Sequence, residues 1–181
     1  MPEKPISKFD QYALVTYLAG KRSRQVGKKA LQKLVHLVQE LGDVDAGYRF
    51  SFYTYGPYSS DLTADLDAVA ALGGIRISYD SADNSFAIEI AQGEDWVLAQ
   101  GGAFIARNSG RIDEIVKQFG ERLAKDLELV STIVYLRRHE RRLFDNDGDV
   151  VARVKALKPK YSESQIMGAL DEVRSFASAP N

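Results

Sequence analysis

The sequence predicts a mostly helical α+β fold, with a winged-helix-like N-terminal part that contains a β-hairpin and a C-terminal helical part. Two observations lead to this prediction. The periodic segments before residue 91 follow the order helix, helix, strand, helix, β-hairpin, which is the element order of a winged-helix domain. After residue 102 every periodic segment has helical spacing. We therefore divide the chain into a winged-helix-like part, 1–101, and a helical part, 102–181, that packs on it, with a single domain as the alternative.

Local signals predict each N-terminal element. Ser7 is suited to cap the first helix, and the second has apolar residues at helical spacing and ends at Gly42. Alternating aromatic residues predict an extended segment, which the breaker Gly56-Pro57 ends. Two alternating runs around turn residues predict the hairpin. The predicted elements are helices over 7–20, 28–41 and 59–72, an extended segment over 48–55, and strands over 75–79 and 86–90.

The C-terminal part is predicted to consist of helices alone. Asn108 is suited to cap the first of them, and Ser162 with Gln165 forms a capping box for the last. The second of these helices is apolar over much of its circumference, which is typical of a central helix. The predicted helices cover 109–123, 126–144, 149–157 and 163–176.

The composition excludes several classes of protein. The 181 residues include no cysteine, which excludes a disulfide scaffold, thiol catalysis and a zinc site built on thiolates. No apolar run reaches the ~20 residues that a membrane-spanning helix needs, and the first residues lack the apolar stretch of a signal peptide. We therefore expect a cytoplasmic protein with no membrane partner.

Residues that carry catalytic or metal chemistry are few. His36 and His139 are the two histidines, and neither has a second histidine within a helical turn. A glycine-rich phosphate loop and a GxSxG motif are absent. Asp145, Asp147 and Asp149 have the spacing of three calcium ligands, but valine and alanine occupy the glycine and glutamate positions of such a loop. We predict no catalytic residue, no metal site and no cofactor, so an enzyme is the third hypothesis for the function.

The net charge of −1 is unevenly distributed along the chain. Residues 1–43 have eight basic and four acidic residues, residues 44–101 have two and nine, and residues 102–181 have fourteen and twelve. The first segment contains a basic patch, which is either a solvated connector or a site for phosphate or nucleic acid near a helix N-terminus. Its residues are Lys21, Arg22, Arg24, Lys28, Lys29 and Lys33, and the last five are the candidate nucleic-acid or phosphate ligands.

The third predicted helix disfavours DNA reading of the usual winged-helix kind. Such a helix enters the major groove with Arg, Lys, Asn or Gln side chains. Residues 59–74 contain Asp61, Asp65 and Asp67 and no Lys or Arg, and the following hairpin adds two aspartates against one arginine. An acidic surface opposes the electrostatic attraction that drives DNA binding. The acidic face therefore predicts a protein partner with a basic surface.

Three tyrosines near Gly56-Pro57 have two interpretations. In one, Gly56-Pro57 sets a turn while Tyr55 and Tyr58 pack on the second helix; in the other, all three tyrosines form an aromatic contact surface beside the acidic helix. The second interpretation gives a set of candidate partner-binding residues, which are Tyr53, Tyr55, Tyr58, Asp61 and Asp65.

Several stretches of the chain together form a recognisable pattern. They are Leu31-Gln32-Lys33-Leu34-Val35, Phe50-Ser51-Phe52-Tyr53, Tyr55-Gly56-Pro57-Tyr58-Ser59, Leu62, Asp65-Leu66, Gly73-Gly74-Ile75, Asp126-Leu127-Glu128-Leu129 to Tyr135-Leu136, and Val154-Lys155-Ala156-Leu157-Lys158-Pro159-Lys160. These stretches resemble the YwgA-like family of uncharacterised bacterial proteins. The "LQKL … YGP" arrangement within them also resembles, more distantly, the Panacea (SocA-like) antitoxin domain. That second resemblance implies an antitoxin or adaptor that acts through protein contacts, in some cases by handing a toxin to a protease, and it brings no catalytic residue.

The leading hypothesis is a non-enzymatic bacterial protein-interaction module, antitoxin-like or adaptor, whose acidic face engages a basic partner. The alternative is a nucleic-acid-binding transcriptional regulator of winged-helix-like fold, which would use the basic patch in place of the usual recognition helix.

Overall fold

A computed structural model of the protein describes residues 5–22, 26–81 and 84–178. The helices are α1 (Lys8–Gly20), α2 (Lys28–Glu40), α3 (Ser60–Ala71), α4 (Glu94–Gln100), α5 (Gly102–Phe119), α6 (Ala124–His139), α7 (Asp147–Leu157) and α8 (Glu163–Ser178). The strands are β1 (Val26–Gly27), β2 (Ser51–Tyr53), β3 (Gly56–Tyr58), β4 (Ile75–Asp80) and β5 (Ser85–Ile90). The prediction of a mostly helical α+β fold is confirmed.

The strands form two small antiparallel sheets. One has the order β1-β5-β4, so the predicted hairpin of β4 and β5 is present and β1 pairs with it from the segment between α1 and α2. The other consists of β2 and β3 alone. The winged-helix assignment stays an interpretation of this element order.

Several helix ends follow from the predicted caps. The Ser7 side chain accepts the backbone N–H of Asp10 in a capping box, and Ser59 caps α3. The Ser162 hydroxyl accepts the N–H of Gln165, whose side chain accepts the N–H of Ser162 in return. These serines fix where α1, α3 and α8 begin.

Three predicted boundaries are wrong. The helix predicted over 126–144 ends at His139, and a short 3₁₀ turn, Arg141–Leu143, follows it. Gly56-Pro57 does not end the extended chain, because Gly56–Tyr58 turns back and pairs with β2. Asn108 does not cap a helix, since α5 begins at Gly102 and the Asn108 amide donates to the carbonyl oxygen of Phe104 inside it. Gly101 separates α4 from α5, and a Cβ at this position would lie 2.5 Å from the Cβ of Ala13. Only glycine therefore lets the α4–α5 junction approach α1 this closely.

Helix α6 lies at the centre of the molecule, as its apolar circumference predicts. It contacts α2, α7, α8 and β3. The buried side chains of residues before and after 102 belong to one hydrophobic core, to which α2 contributes Leu31, Leu34 and Val35 and α6 contributes Leu127, Val130 and Ile133. Within the described residues, no helix has the length and apolar character needed to cross a membrane.

Candidate functional site

The β2–β3 hairpin carries the three tyrosines that the sequence singles out. Tyr53 pairs with Gly56 across a turn formed by Thr54 and Tyr55. Tyr53 is 65% exposed and Tyr55 is 51% exposed, whereas Gly56 and Pro57 are buried. The hairpin therefore presents two aromatic rings to solvent on a buried base.

Buried lysines hold this hairpin against the rest of the protein. The Lys33 Nζ donates to the carbonyl oxygen of Pro57 at 2.6 Å, and the Lys158 Nζ donates to that of Thr54. Lys158 also forms an ion pair with Glu128 at 2.7 Å, and Lys160 pairs with the other Glu128 oxygen at 2.7 Å. We call Lys33, Glu128, Lys158 and Lys160 the hairpin clamp. The clamp connects the β2–β3 hairpin to α2, to α6 and to the segment between α7 and α8.

The electrostatics of the clamp are those of a buried site. Lys33, Glu128 and Lys158 are each about 95% buried as residues. The pKa of Lys33 is lowered from 10.5 to about 8, chiefly by burial; the charge of Glu128 opposes this change, and the charges of Lys158 and Lys29 contribute to it. Burial works to raise the pKa of Glu128, but hydrogen bonds from Lys158 and Lys160 outweigh it and lower that pKa. The carboxylate is thus kept ionised at the centre of the clamp.

Close packing at Gly56 completes the base of the hairpin. Gly56 has a φ of +83°, in the region that favours glycine. A Cβ at this position would lie 3.1 Å from the Thr132 hydroxyl oxygen of α6. The glycine of the "YGP" motif is therefore required both by backbone conformation and by contact with α6.

A pocket of about 250 Å³ lies between the hairpin, α2 and α3. The Lys29 Nζ lies 4.3 Å from the centre of the Tyr55 ring, and the rings of Tyr53 and Tyr58 are 5.9 Å apart. We call this the tyrosine–lysine pocket, and its lining residues are Lys28, Lys29, Gln32, Lys33, Tyr53, Tyr55, Gly56, Tyr58, Thr63 and Leu66. It unites the predicted partner-binding tyrosines with three of the predicted nucleic-acid ligands, which the sequence analysis treats as alternatives.

The two predicted aspartates lie in different environments. Asp61 is exposed, whereas Asp65 is buried. The Asp65 carboxylate accepts hydrogen bonds from the Lys8 Nζ and the Tyr48 hydroxyl, both at 3.0 Å. The prediction that Asp65 belongs to an exposed acidic face is therefore wrong. Asp65 lies on the buried side of α3, where Lys8 neutralises its charge.

The described residues of the basic patch lie in different environments. Lys21 pairs with Asp113, Lys28 pairs with Asp67 at 3.6 Å, and Lys33 is buried. The Arg22 guanidinium donates to the carbonyl oxygen of Arg122. Arg24 lies outside the described residues. Of the predicted nucleic-acid ligands, Lys28 and Lys29 remain side by side at the N-terminus of α2.

The chain is similar to the uncharacterized protein YwgA of Bacillus subtilis (strain 168). The two are 26% identical over 158 residues, which cover 83% of this chain and 87% of that protein. No family model matches the sequence. The predicted resemblance to YwgA is thus confirmed over most of the chain, and the resemblance to the Panacea domain stays a prediction.

Sequence reasoning did not assign a role to Glu128, Lys158, Lys160 or Thr132. Each of the first three lies in a stretch that carries the YwgA-like resemblance, and so do Lys33 and Gly56-Pro57. The structure gives these separate stretches one explanation, because they meet at the hairpin clamp. The one local signal was the pair of lysines that flank Pro159, Lys158 and Lys160. The contact between Lys158 and Thr54 spans 104 positions, so no local pattern predicts it.

The two histidines and the aspartate triplet do not form a site together. His36 is fully buried, and His139 is exposed. Asp149 accepts the backbone N–H of Asn146 in the capping box of α7, and Asp147 pairs with Arg174. Over residues 5–22, 26–81 and 84–178, no group of three or more His, Asp or Glu side chains is placed to hold a metal ion.

Proposed function

We propose that this protein is a non-enzymatic protein-interaction module, antitoxin-like or adaptor, that binds its partner at the tyrosine–lysine pocket. The observation that carries the proposal is the exposure of Tyr53 and Tyr55, at 65% and 51%, on a hairpin whose base is buried. Exposed aromatic rings around an apolar-walled pocket are characteristic of protein-binding surfaces.

The hairpin clamp supports this role by ordering the surface before a partner binds. Lys33 binds the carbonyl oxygen of Pro57, just after the turn, and Lys158 binds that of Thr54 in the turn itself. A loop that is ordered in advance loses less conformational entropy on association, so more of the contact energy appears as affinity. The distant resemblance to the Panacea domain suggests an antitoxin or an adaptor as the form of this interaction.

The placement of charges changes the partner surface that we expect. Of the three aspartates of α3, Asp65 is paired with Lys8 and Asp67 with Lys28, which leaves Asp61 as the exposed aspartate without an ion pair among the described residues. The acidic face is therefore weaker than the sequence suggests. The tyrosine–lysine pocket, rather than the acidic face, is the surface that we assign to the partner.

A tagged pull-down from lysate of the native host, treated with nuclease, tests the proposal. Tyr53→Ala with Tyr55→Ala should remove the stoichiometric protein partner that the wild-type chain retains. Tyr79→Ala is the matched control, because Tyr79 is 57% exposed on β4 and lies outside the pocket lining. Equal recovery of the partner by both variants, or recovery of the wild-type chain alone, would contradict the proposal.

A nucleic-acid-binding regulator is the second candidate function, and one observation favours it. A pocket of about 530 Å³ at the N-terminus of α2 is lined by Arg22, Lys28, Lys29 and Arg122 among other residues. In a parallel pull-down without nuclease, nucleic acid that co-purifies and is lost with Lys28→Glu and Lys29→Glu, but retained with Tyr53→Ala and Tyr55→Ala, would establish this function instead. Asp61→Lys is the suitable variant for the acidic face, since Asp65→Lys would break a buried ion pair.

A further inference from the structure

The tyrosine–lysine pocket has apolar walls to which lysines contribute and acidic residues do not. Three lysines line it, and none of its lining residues is an aspartate or glutamate. Lys28 has an acidic neighbour outside the lining, Asp67 at 3.6 Å. Lys29 contacts the Tyr55 ring, and among the described residues neither Lys29 nor Lys33 forms an ion pair. An anion in the pocket would meet two lysines that have no carboxylate of their own.

Lys33 is the more unusual of these two lysines. It is 4% exposed, and its ammonium group, which has three donors, makes one hydrogen bond, to the neutral carbonyl oxygen of Pro57. Buried charges in proteins are normally paired, because an unpaired charge loses its hydration without compensation. The carboxylate of Glu128 is already shared by Lys158 and Lys160. The clamp thus holds three lysines for one carboxylate, and the low pKa of Lys33, about 8, is consistent with a missing negative charge.

We propose that the tyrosine–lysine pocket binds an acidic peptide segment of the partner, with a carboxylate between Lys29 and Lys33 and a neighbouring apolar side chain against the tyrosines. This inference rests on the proposed function and names the chemistry of the partner. Both lysines line the pocket, and Lys29 is exposed whereas Lys33 is buried. A carboxylate that enters the pocket would supply the acceptor that both ammonium groups lack.

The size and shape of the pocket favour a peptide side chain over a larger ligand. Its volume, about 250 Å³, is below the roughly 300–1,000 Å³ of typical small-molecule clefts. Among the described strands, β2 pairs on one side only, with β3, and an extended peptide can bind by adding a strand to an unpaired sheet edge. A peptide can therefore use the strand edge and place a side chain in the pocket.

The charges around the pocket disfavour a polyanion. Asp67 is exposed on α3 and lies 3.6 Å from Lys28 of the pocket lining. A nucleic acid carries a phosphate at every nucleotide, so a strand that passes the pocket would meet this carboxylate as well as the lysines. One carboxylate on a peptide would not. Nucleic acid is accordingly an outcome of the test and not the ligand that we propose.

An array of short peptides tests the inference with defined probes. Its members combine Asp or Glu with Phe, Tyr, Leu or Ile at the central positions, and a matched set replaces Asp by Asn and Glu by Gln. We expect wild-type protein to bind a subset of the acidic members at least about tenfold more tightly than their amide counterparts. Lys29→Glu and Lys33→Met should each remove that preference, whereas Lys117→Glu, an exposed change of the same charge on α5, should leave it intact.

The outcomes separate this inference from the proposed function. Binding of no acidic member, equal binding of the amide counterparts, or an unchanged preference in Lys29→Glu would each overturn the inference. Preference for a single-stranded oligonucleotide over every peptide on the same array would overturn it as well. If a Tyr53- and Tyr55-dependent partner is captured while the array shows no acid preference, the proposed function stands and the acidic ligand does not. Because Lys29 is exposed and makes no buried contact, its variant decides the matter even if Lys33→Met fails to fold.

Discussion

His36 shows how a single buried residue departs from the chemistry that its type suggests. It is fully buried on α2, and neither ring nitrogen has a hydrogen-bond partner among the described residues. Its ring lies 5.0 Å from that of Phe50 and 6.1 Å from that of Tyr135. Burial, together with the charges of Lys33 and His139, lowers its pKa from 6.5 to about 3. His36 therefore acts as a neutral aromatic core residue.

Replacing His36 by leucine should reduce the acid sensitivity of the fold. Between pH 6.5 and 3 the unfolded state binds a proton at this position that the folded state excludes, so the free energy of unfolding falls as the pH falls through that window. His36→Leu should remove this part of the loss and leave stability at neutral pH equal or higher, by about 1 kcal/mol, because unpaired buried nitrogens are eliminated. Urea unfolding at neutral and acidic pH measures both effects. An identical acid response in His36→Leu and wild type would contradict the argument.

At the scale of the element, the β2–β3 hairpin depends on one backbone conformation. Gly56 combines a φ of +83° with a position where a Cβ would lie 3.1 Å from the Thr132 hydroxyl. Pro57, the next residue, and Thr54 in the turn each accept a hydrogen bond from a buried lysine through their carbonyl oxygens. Displacing Gly56 would therefore disturb the clamp and the pocket together.

Gly56→Ala should destabilise the protein by about 1–3 kcal/mol, the usual cost of a non-glycine residue in this backbone region. Chemical denaturation followed by circular dichroism gives the value. Gly110→Ala is the matched control: Gly110 lies inside α5, nothing lies within 4 Å of the added Cβ, and alanine should stabilise the helix by about 0.5–1 kcal/mol. If the two substitutions had the same sign, the hairpin would not depend on the conformation of Gly56.

Most elements could be predicted from local signals, and the exceptions have physical reasons. Helical periodicity and serine caps predict α1, α2, α3 and α8, and alternation around a turn predicts β4 and β5. Gly56-Pro57 also resembles a strand break, and it becomes part of β3 because Pro57 and Gly56 are buried against α2 and α6. The start of α5 was missed because Gly101 ends α4 for a tertiary reason, its contact with α1.

The candidate site was predictable in its exposed parts alone. Tyr53, Tyr55 and the lysines of α2 have recognisable residue types, so the sequence identifies them as contact residues. Their union in one pocket depends on how the hairpin packs against α2, which no local pattern specifies. The burial of Asp65 depends likewise on Lys8, 57 positions away. Local chemistry therefore predicts candidate residues, and tertiary packing decides which of them form a surface.

At the scale of the whole molecule, the hairpin clamp connects residues from both ends of the chain. Lys33 and Thr54 come from the predicted N-terminal part, and Glu128 and Lys158 from the C-terminal part. The central helix α6 contacts both α2 and β3. The rigid presentation of the tyrosines thus requires residues after 102, although the tyrosines themselves lie before it.

A fragment of residues 1–101 should therefore fail to fold cooperatively on its own. Removing residues 102–181 exposes apolar side chains of α2 that are buried in the intact protein, such as Leu31 and Leu34, and deprives the Thr54 carbonyl oxygen of the hairpin of its Lys158 donor. Thermal unfolding by near-ultraviolet circular dichroism should show no cooperative transition for 1–101, whereas an equimolar mixture with 102–181 should regain one if the two parts assemble. The full chain, carried through the same purification, is the control. A cooperative transition of 1–101 alone would show an independent domain, and the clamp would then be a contact between domains instead of part of one core.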